Sequence, residues 1–275
     1  MKKLEKRVSR SGRLIAVLFA LAAAFPGVRG EAIPDVSWND SIPGAMEAAA
    51  AERKPVIVDV WAIWCAPCKL MDERTWHDPE IIQAAGRFIP LKVDSDANEV
   101  FVTRYDADVL PATLFLDGEG RVITRLTGYT DQAHLLRVMR TVLDGYETYL
   151  AAMAADPGPA GLADLSDYYL AVGNPAKAAD LLKRAIKKDR GAAPEVSEQR
   201  ELKLAEALLQ DGRPDPAVKC ASRIVEKSAV PAHRKRALEL LVNAEKARGK
   251  ESRSAAALER LNREFPGGSG KPVSE

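Results

Sequence analysis

The sequence predicts an α/β domain, a mixed central sheet flanked by helices, followed by an all-α domain of helical repeats. Three observations carry that expectation. Strand and helix periods alternate from Glu31 to Gly145, strand signals vanish beyond Asp156-Pro157-Gly158-Pro159, and a glycine-centred pattern recurs through the second half. A chain of 275 residues suits one or two domains of ordinary size.

The first thirty residues read as an export signal. Seven basic side chains (Lys2, Lys3, Lys6, Arg7, Arg10, Arg13 and Arg29) stand there against one acid, Glu5. An apolar run from Leu14 to Phe25 follows, and Pro26-Gly27 breaks it. Val28 and Gly30 are small enough for the −3 and −1 positions of a signal peptidase site, so the expected cut precedes Glu31. The run falls short of the roughly 20 residues that span a bilayer as a helix. An uncleaved membrane tether is the alternative, because the site departs from Ala-x-Ala. Either way the expected location is periplasmic or otherwise extracytoplasmic. With 40 Lys and Arg against 39 Asp and Glu, the chain is no polycation, and nucleic acid is not an expected partner.

Residues 43–54 read as a short Ala-rich helix. Pro55-Val56-Ile57-Val58-Asp59-Val60-Trp61 is a β-branched run suited to a strand buried on both faces. A helix is expected from Ala66, with a break at Asp78-Pro79, then a strand over 88–93 and a helix over 97–105. Residues 112–116 and 121–126 flank Asp117-Gly118-Glu119-Gly120, a β-hairpin pattern, and a last helix is expected over 131–144. Beyond Pro159 only helical spacing remains. Gly173-Asn174-Pro175 aligns with Gly212-Arg213-Pro214 and with Gly249, and each glycine is followed by a second helix with small residues on its inner face. The stretch Tyr168-Tyr169-Leu170-Ala171-Val172-Gly173-Asn174-Pro175-Ala176-Lys177-Ala178 resembles a tetratricopeptide turn, over a repeat region of about 160–266. The expected boundaries are 1–30 for the signal, 31–150 for the α/β domain, 151–160 for a linker, 161–266 for the repeats and 267–275 for a disordered tail.

The chain has three cysteines: Cys65, Cys68 and Cys220. A disulfide-stapled scaffold would carry more of them, spread in pairs, so chemistry is the better account of Cys65-Ala66-Pro67-Cys68. A zinc site would need a second ligand pair, which Cys220, His77, His134 and His233 do not form, so no metal is expected. Haem attachment would need a His where Lys69 stands. A strand ending at Trp61 delivers Cys65 to the first turn of a helix, where free N–H groups and the helix dipole stabilise a thiolate. Pro67 suits that first turn, and Cys68, further in, is placed to resolve a mixed disulfide.

With these residues in view, the sequence resembles the thioredoxin superfamily. Val58-Asp59-Val60-Trp61-Ala62-Ile63-Trp64-Cys65-Ala66-Pro67-Cys68-Lys69 and Val109-Leu110-Pro111-Ala112-Thr113-Leu114-Phe115 carry the resemblance over about 40–145. It implies a thioredoxin-like fold, no cofactor, Cys65 as the attacking thiol and Cys68 as the resolving thiol. It implies that Pro111 is a cis proline facing the pair, and that Leu110 offers backbone hydrogen bonds to a substrate strand. Read without it, Pro111 is an ordinary trans proline. The resemblance also makes Asp59 the carboxylate beneath the resolving thiol, and Lys92 the lysine supporting it; by itself Lys92 reads as a solvated strand-end charge. Trp64 is expected partly to pack and partly to rim the substrate site.

The helix after Lys69 and His77-Asp78-Pro79-Glu80 are similar to the C-terminal periplasmic domain of the DsbD disulfide reductase family. Trp76 and Leu110 depart from that pattern, where Phe and Thr or Ile are usual. Ala66-Pro67 places no charge between the thiols, unlike the His of strong oxidants, so a reducing or moderate-potential exchanger is expected. Its expected partners are protein disulfide substrates, a membrane thiol-reductase donor and a protein bound by the repeats. The alternative is an extracytoplasmic adaptor or chaperone-like module in which the dithiol is secondary. Cys220 is expected to be a buried small hydrophobe, with a redox role as the alternative.

Overall fold

The computed structural model describes residues 35–154 and 157–266. The expected signal segment, its cleavage site and the expected tail lie outside the described residues. Among the described residues no helix is long and apolar enough to cross a membrane.

Four strands form the sheet: β1 (Val56–Trp61), β2 (Ile89–Asp94), β3 (Ala112–Leu116) and β4 (Val122–Thr127), in the order β2-β1-β3-β4. β1 pairs parallel with β2 and antiparallel with β3, and β4 is antiparallel to β3, so the sheet is mixed. The β-branched run of β1 is buried from Val56 to Val60, as a central strand requires. β2 lies at one edge and so tolerates Pro90. A parallel bridge from Asn39 to Leu91 covers that edge, and the Asn39 N–H and side-chain amide both donate to Pro90 O at 2.9 and 2.8 Å.

The two-residue period of β1 divides the core. Val56, Val58 and Val60 pack with Leu91, Leu114, Ala45, Ala49, Phe101 and Tyr105 beneath α1 (Ile42–Glu52) and α4 (Glu99–Tyr105). Ile57 points to the other face, with Phe115 and Ile123, beneath α2 (Ala66–Met71), α3 (Pro79–Ala85) and α5 (Gln132–Ala154). Asp59 shares the face of Ile57, which sets it under α2. The break expected at Asp78-Pro79 is the start of α3: Asp78 accepts from the Glu80 and Ile81 N–H groups, and Pro79 takes the first helical position.

The sequence predicts one helix from Ala66 to the break, but its second part is a π-helical turn, Asp72–Trp76. Side chains take up the carbonyls of this wider turn. Asp72 O meets His77 Nδ1 at 2.5 Å, and Arg74 O accepts from Gln132 Nε2 at 2.6 Å.

α5 runs ten residues past its expected end at 144. Leu135, Met139, Val142, Tyr146 and Tyr149 form one buried stripe at three- and four-residue spacing, so the helix has no reason to stop at Gly145. Gly145 is there for contact instead. A Cβ on it would stand 2.4 Å from Tyr168 Cδ2, so the side-chain-free position lets the ring lie against the helix. Residues 151–154 and 159–160 of the expected linker are helical. The apolar cluster under the sheet continues through Tyr146, Tyr149, Tyr168 and Tyr169 as far as Leu261. The described residues from Asp35 onward belong to one compact unit.

A buried carboxylate ties this junction to the sheet. Asp117, in the β3–β4 turn, is fully buried. It accepts from the Glu119 and Arg121 N–H groups (both 2.9 Å), from Arg121 Nε (2.6 Å) and from the Tyr149 hydroxyl (2.5 Å). Four donors compensate the lost hydration of the charge. Burial pushes the Tyr149 phenol far above its ordinary value.

The other described residues form three helical hairpins: α6 (Pro159–Ala171) with α7 (Pro175–Lys188), α8 (Pro194–Gln210) with α9 (Pro214–Lys227), and α10 (Pro231–Ala247) with α11 (Glu251–Glu264). The aligned glycines sit at their turns with positive φ (77° at Gly173, 68° at Gly212, 69° at Gly249). Each ends its helix with the same paired bonds. At the first turn Gly173 N donates to Leu170 O and Asn174 N to Tyr169 O; at the others Arg213 N reaches Leu208 O and Lys250 N reaches Glu245 O. Asn174 also caps α7 and donates its amide to Ile123 O at 2.9 Å, fastening the first hairpin to β4.

Candidate active site

β1 ends at Trp61, and its carbonyl accepts from Ser95 N at 2.8 Å. The chain then turns through Ala62, whose carbonyl accepts from Cys65 N, and enters α2 with Cys65 at the N-cap. Cys65 and Cys68 are joined as a disulfide, and Cys65 Sγ accepts from the Cys68 N–H at 3.2 Å. A free backbone donor is therefore already aimed at the sulfur that would carry negative charge after reduction. Both cysteines are buried, in a small cluster with Ala62 against which Trp61 and Leu110 pack.

The Leu110–Pro111 peptide is cis. Pro111 O accepts from Gly128 N at 2.8 Å, which fixes the loop at the head of β3. Ile63 and Trp64 precede the disulfide and are 68% and 65% exposed, so the buried pair is bordered by free apolar surface. The Trp64 ring is held in place, since its N–H donates to Asp96 at 2.9 Å.

Asp59 and Lys92 face each other across the β1–β2 register, with Lys92 Nζ 3.4 Å from Asp59 Oδ2. Asp59 is only 3% exposed, and burial, aided by the charge of Asp72, pushes its carboxyl up to about 6 although Lys92 pulls it down. Lys92 is nearer to Asp72, at 2.6 Å. That shorter pairing leaves Asp59 only partly compensated. The buried Trp76 N–H lies close enough to favour the Asp59 anion slightly, yet it has no hydrogen-bond partner among the described residues.

Of the residues singled out in the sequence, Cys65, Cys68, Leu110 and Trp61 meet in one cluster, with Pro111 following Leu110 and exposed Trp64 beside Cys65. Asp59 and Lys92 form a second group on the sheet face beneath α2. Cys220 belongs to neither. It is a buried free thiol on α9, and burial raises its pKa. Asp72 and Trp38 were not among the expected site residues. Asp72 could have been found, because it follows Cys68 by four residues and so lies on the same helical side. Trp38 stands alone on the segment before α1, with no pattern around it.

The family model for a thioredoxin-like domain matches residues 42–143. This part of the chain is a thioredoxin-like domain. The thiol:disulfide interchange protein DsbD of Ralstonia nicotianae is 30% identical over 135 residues, covering 47% of this chain and 22% of that protein. DsbD of Yersinia pestis is 33% identical over 95 residues, 32% of this chain and 16% of that protein. The chain therefore spans 22% or less of the length of these two curated relatives. Among solved structures, the oxidised DsbD C-terminal domain of Neisseria meningitidis is 25% identical, with 36% of this chain and 94% of that one covered and a TM-score of 0.32.

Proposed function

We propose that this protein is an exported thiol–disulfide oxidoreductase that reduces disulfides of periplasmic or other extracytoplasmic proteins through Cys65 and Cys68. The single observation that carries this reading is the disulfide at the start of α2, bordered by exposed apolar surface, with a partly compensated carboxyl at Asp59 on the sheet face below. In the reduced protein, the Cys65 thiolate attacks one sulfur of a substrate disulfide, forming a mixed disulfide and releasing the other sulfur as a thiolate. Cys68 then gives its proton to the Asp59 carboxylate and attacks Cys65 Sγ. The Cys65–Cys68 disulfide forms, the second substrate sulfur leaves as a thiolate, and two electrons have passed to the substrate. Leu110 offers its backbone to the substrate strand, Pro111 and Trp64 border it, and Lys92 supports the proton transfer.

The reducing direction is supported by the uncharged Ala66-Pro67 between the thiols, which gives the reduced form no added stabilisation. Return to the dithiol calls for a donor dithiol, which in this compartment is a membrane thiol reductase. The helical hairpins, tetratricopeptide-like in their turns, serve as the docking surface for a protein partner.

Insulin reduction by wild type and Cys65→Ser tests this reading. Turnover by wild type that is lost in the variant is expected. A wild-type rate no higher than background refutes the enzyme and favours an adaptor built on the hairpins.

A further inference from the structure

Trp38 lies outside every element that carries the disulfide, yet it reaches the carboxylate site. Its ring centroid stands 5.4 Å from Lys92 Nζ, and the Trp61 centroid stands 5.3 Å from the same atom. Trp38 also meets Trp76 edge to face, with 4.8 Å between centroids. Lys92 is thus flanked by two indole rings while it reaches Asp72 at 2.6 Å and Asp59 at 3.4 Å. A lysine at a sheet edge is ordinarily a hydrated, mobile charge on a long stem. Here the negative faces of two indoles attract it, and the side chain is only 20% exposed.

We infer that Trp38 is a positioning residue for the proton-transfer step: with Trp61 it fixes the Lys92 ammonium between two carboxylates. The inference rests on the disulfide-exchange reading, in which Asp59 takes the Cys68 proton. The groups facing Asp59 are Lys92 from β2, Asp72 and the neutral Trp76 from the π turn, and the neutral Thr113 across the β1–β3 register. Trp38 bears on Asp59 through Lys92, whose ammonium favours the anion. Loosening the clamp weakens that attraction and raises the carboxyl further.

The test is a carboxyl ¹³C NMR titration of the full-length oxidised protein, in which neither paired thiol titrates. Wild-type Asp59 is expected to titrate at about 6. In Trp38→Leu the inflection should rise by about half a pH unit or more, and Trp38→Phe should restore it. A Trp38→Leu inflection that coincides with wild type, or falls, overturns the inference. A wild-type measurement keeps it open to refutation even if the leucine variant does not fold. The Lys92 ε-methylene protons should lie upfield under two ring currents, and an unshifted resonance overturns the clamp. Neither readout needs turnover, so absence of insulin reduction would sink the exchange reading without imitating a failure of the clamp.

Discussion

Replacing Asp59 by Asn should stabilise the protein at neutral pH while slowing its chemistry. In the folded state the carboxyl titrates at about 6 against an ordinary 3.8. At about 1.4 kcal/mol per pH unit, that difference destabilises the fold by about 3 kcal/mol once both states are ionised. The sign follows from proton counts. Below the ordinary value both states hold the proton and no penalty exists. As pH rises from 3.8 to about 6, the unfolded chain releases the proton while the folded one keeps it, so stability falls across that window and then levels. Asparagine fills nearly the same space without the charge, and Lys92 keeps Asp72 at 2.6 Å. Urea unfolding of the oxidised protein at several pH values between 4 and 7 reads the effect. The variant should gain on wild type steadily through the window, reaching a few kcal/mol at pH 7, while insulin reduction falls by about 100-fold or more for want of the proton acceptor. A stability difference that stays constant from pH 4 to 7, or a variant weaker than wild type at pH 7, would refute the account of Asp59.

Two further substitutions probe the site and the junction. Asp72→Asn removes a negative charge near Asp59 and frees Lys92 to pair with it; both changes favour the Asp59 anion, so its titration should move below about 6 in the oxidised protein, and an upward move contradicts the shared-lysine geometry. Gly145→Ala gains up to about 1 kcal/mol of helix propensity but drives a methyl into the Tyr168 ring, an overpacking cost of about 1–3 kcal/mol. A net loss in urea unfolding is expected, and a stabilised variant would show that the ring does not lie against the helix.

Much of the redox half was legible in the sequence because its signals are local. The β-branched run, the Cys-x-x-Cys spacing and the Asp78-Pro79 break each declare an element within a few residues, and each lies where it was expected. The repeat glycines were equally readable, since a left-handed helix end selects glycine at every turn. What escaped was long-range. Asp117 belongs visibly to a hairpin turn, but its partner Tyr149 is 32 residues on, beyond a glycine that looked like a helix end. The resemblance already set Lys92 beside Asp59, as the β1–β2 register does, but the nearer contact of Lys92 joins it to Asp72, 20 residues away in the chain. Trp38 has no motif at all.

These long-range contacts decide whether the helical half is a detachable module. A fragment ending at residue 150 keeps every residue of the disulfide site, and a linker boundary at that point would predict that it folds unchanged. The structure predicts otherwise. The cut removes Tyr168 and Tyr169, which pack on Tyr149 with ring centroids 5.4 and 6.1 Å away, and leaves Tyr149 on the last frayed turn of α5. Asp117 would then lose its hydroxyl donor in a site built to exclude water, and β4 would lose the Asn174 bond to Ile123 O. Leaving a buried carboxylate short of one donor costs about 1–3 kcal/mol, before the exposed aromatic surface is counted. Against the 5–15 kcal/mol of a typical domain, that is enough to lower the urea midpoint visibly. The fragment should therefore unfold at lower urea than residues 31–266 while retaining dithiol chemistry at low temperature. Equal midpoints, followed by the fluorescence of the tryptophans around the disulfide, would show that the redox domain stands alone and that the continuous apolar cluster contributes nothing to it. If the midpoints differ as expected, the hairpins and the sheet form one body, joined through α5 and the Asn174 bond to β4 rather than by a tether.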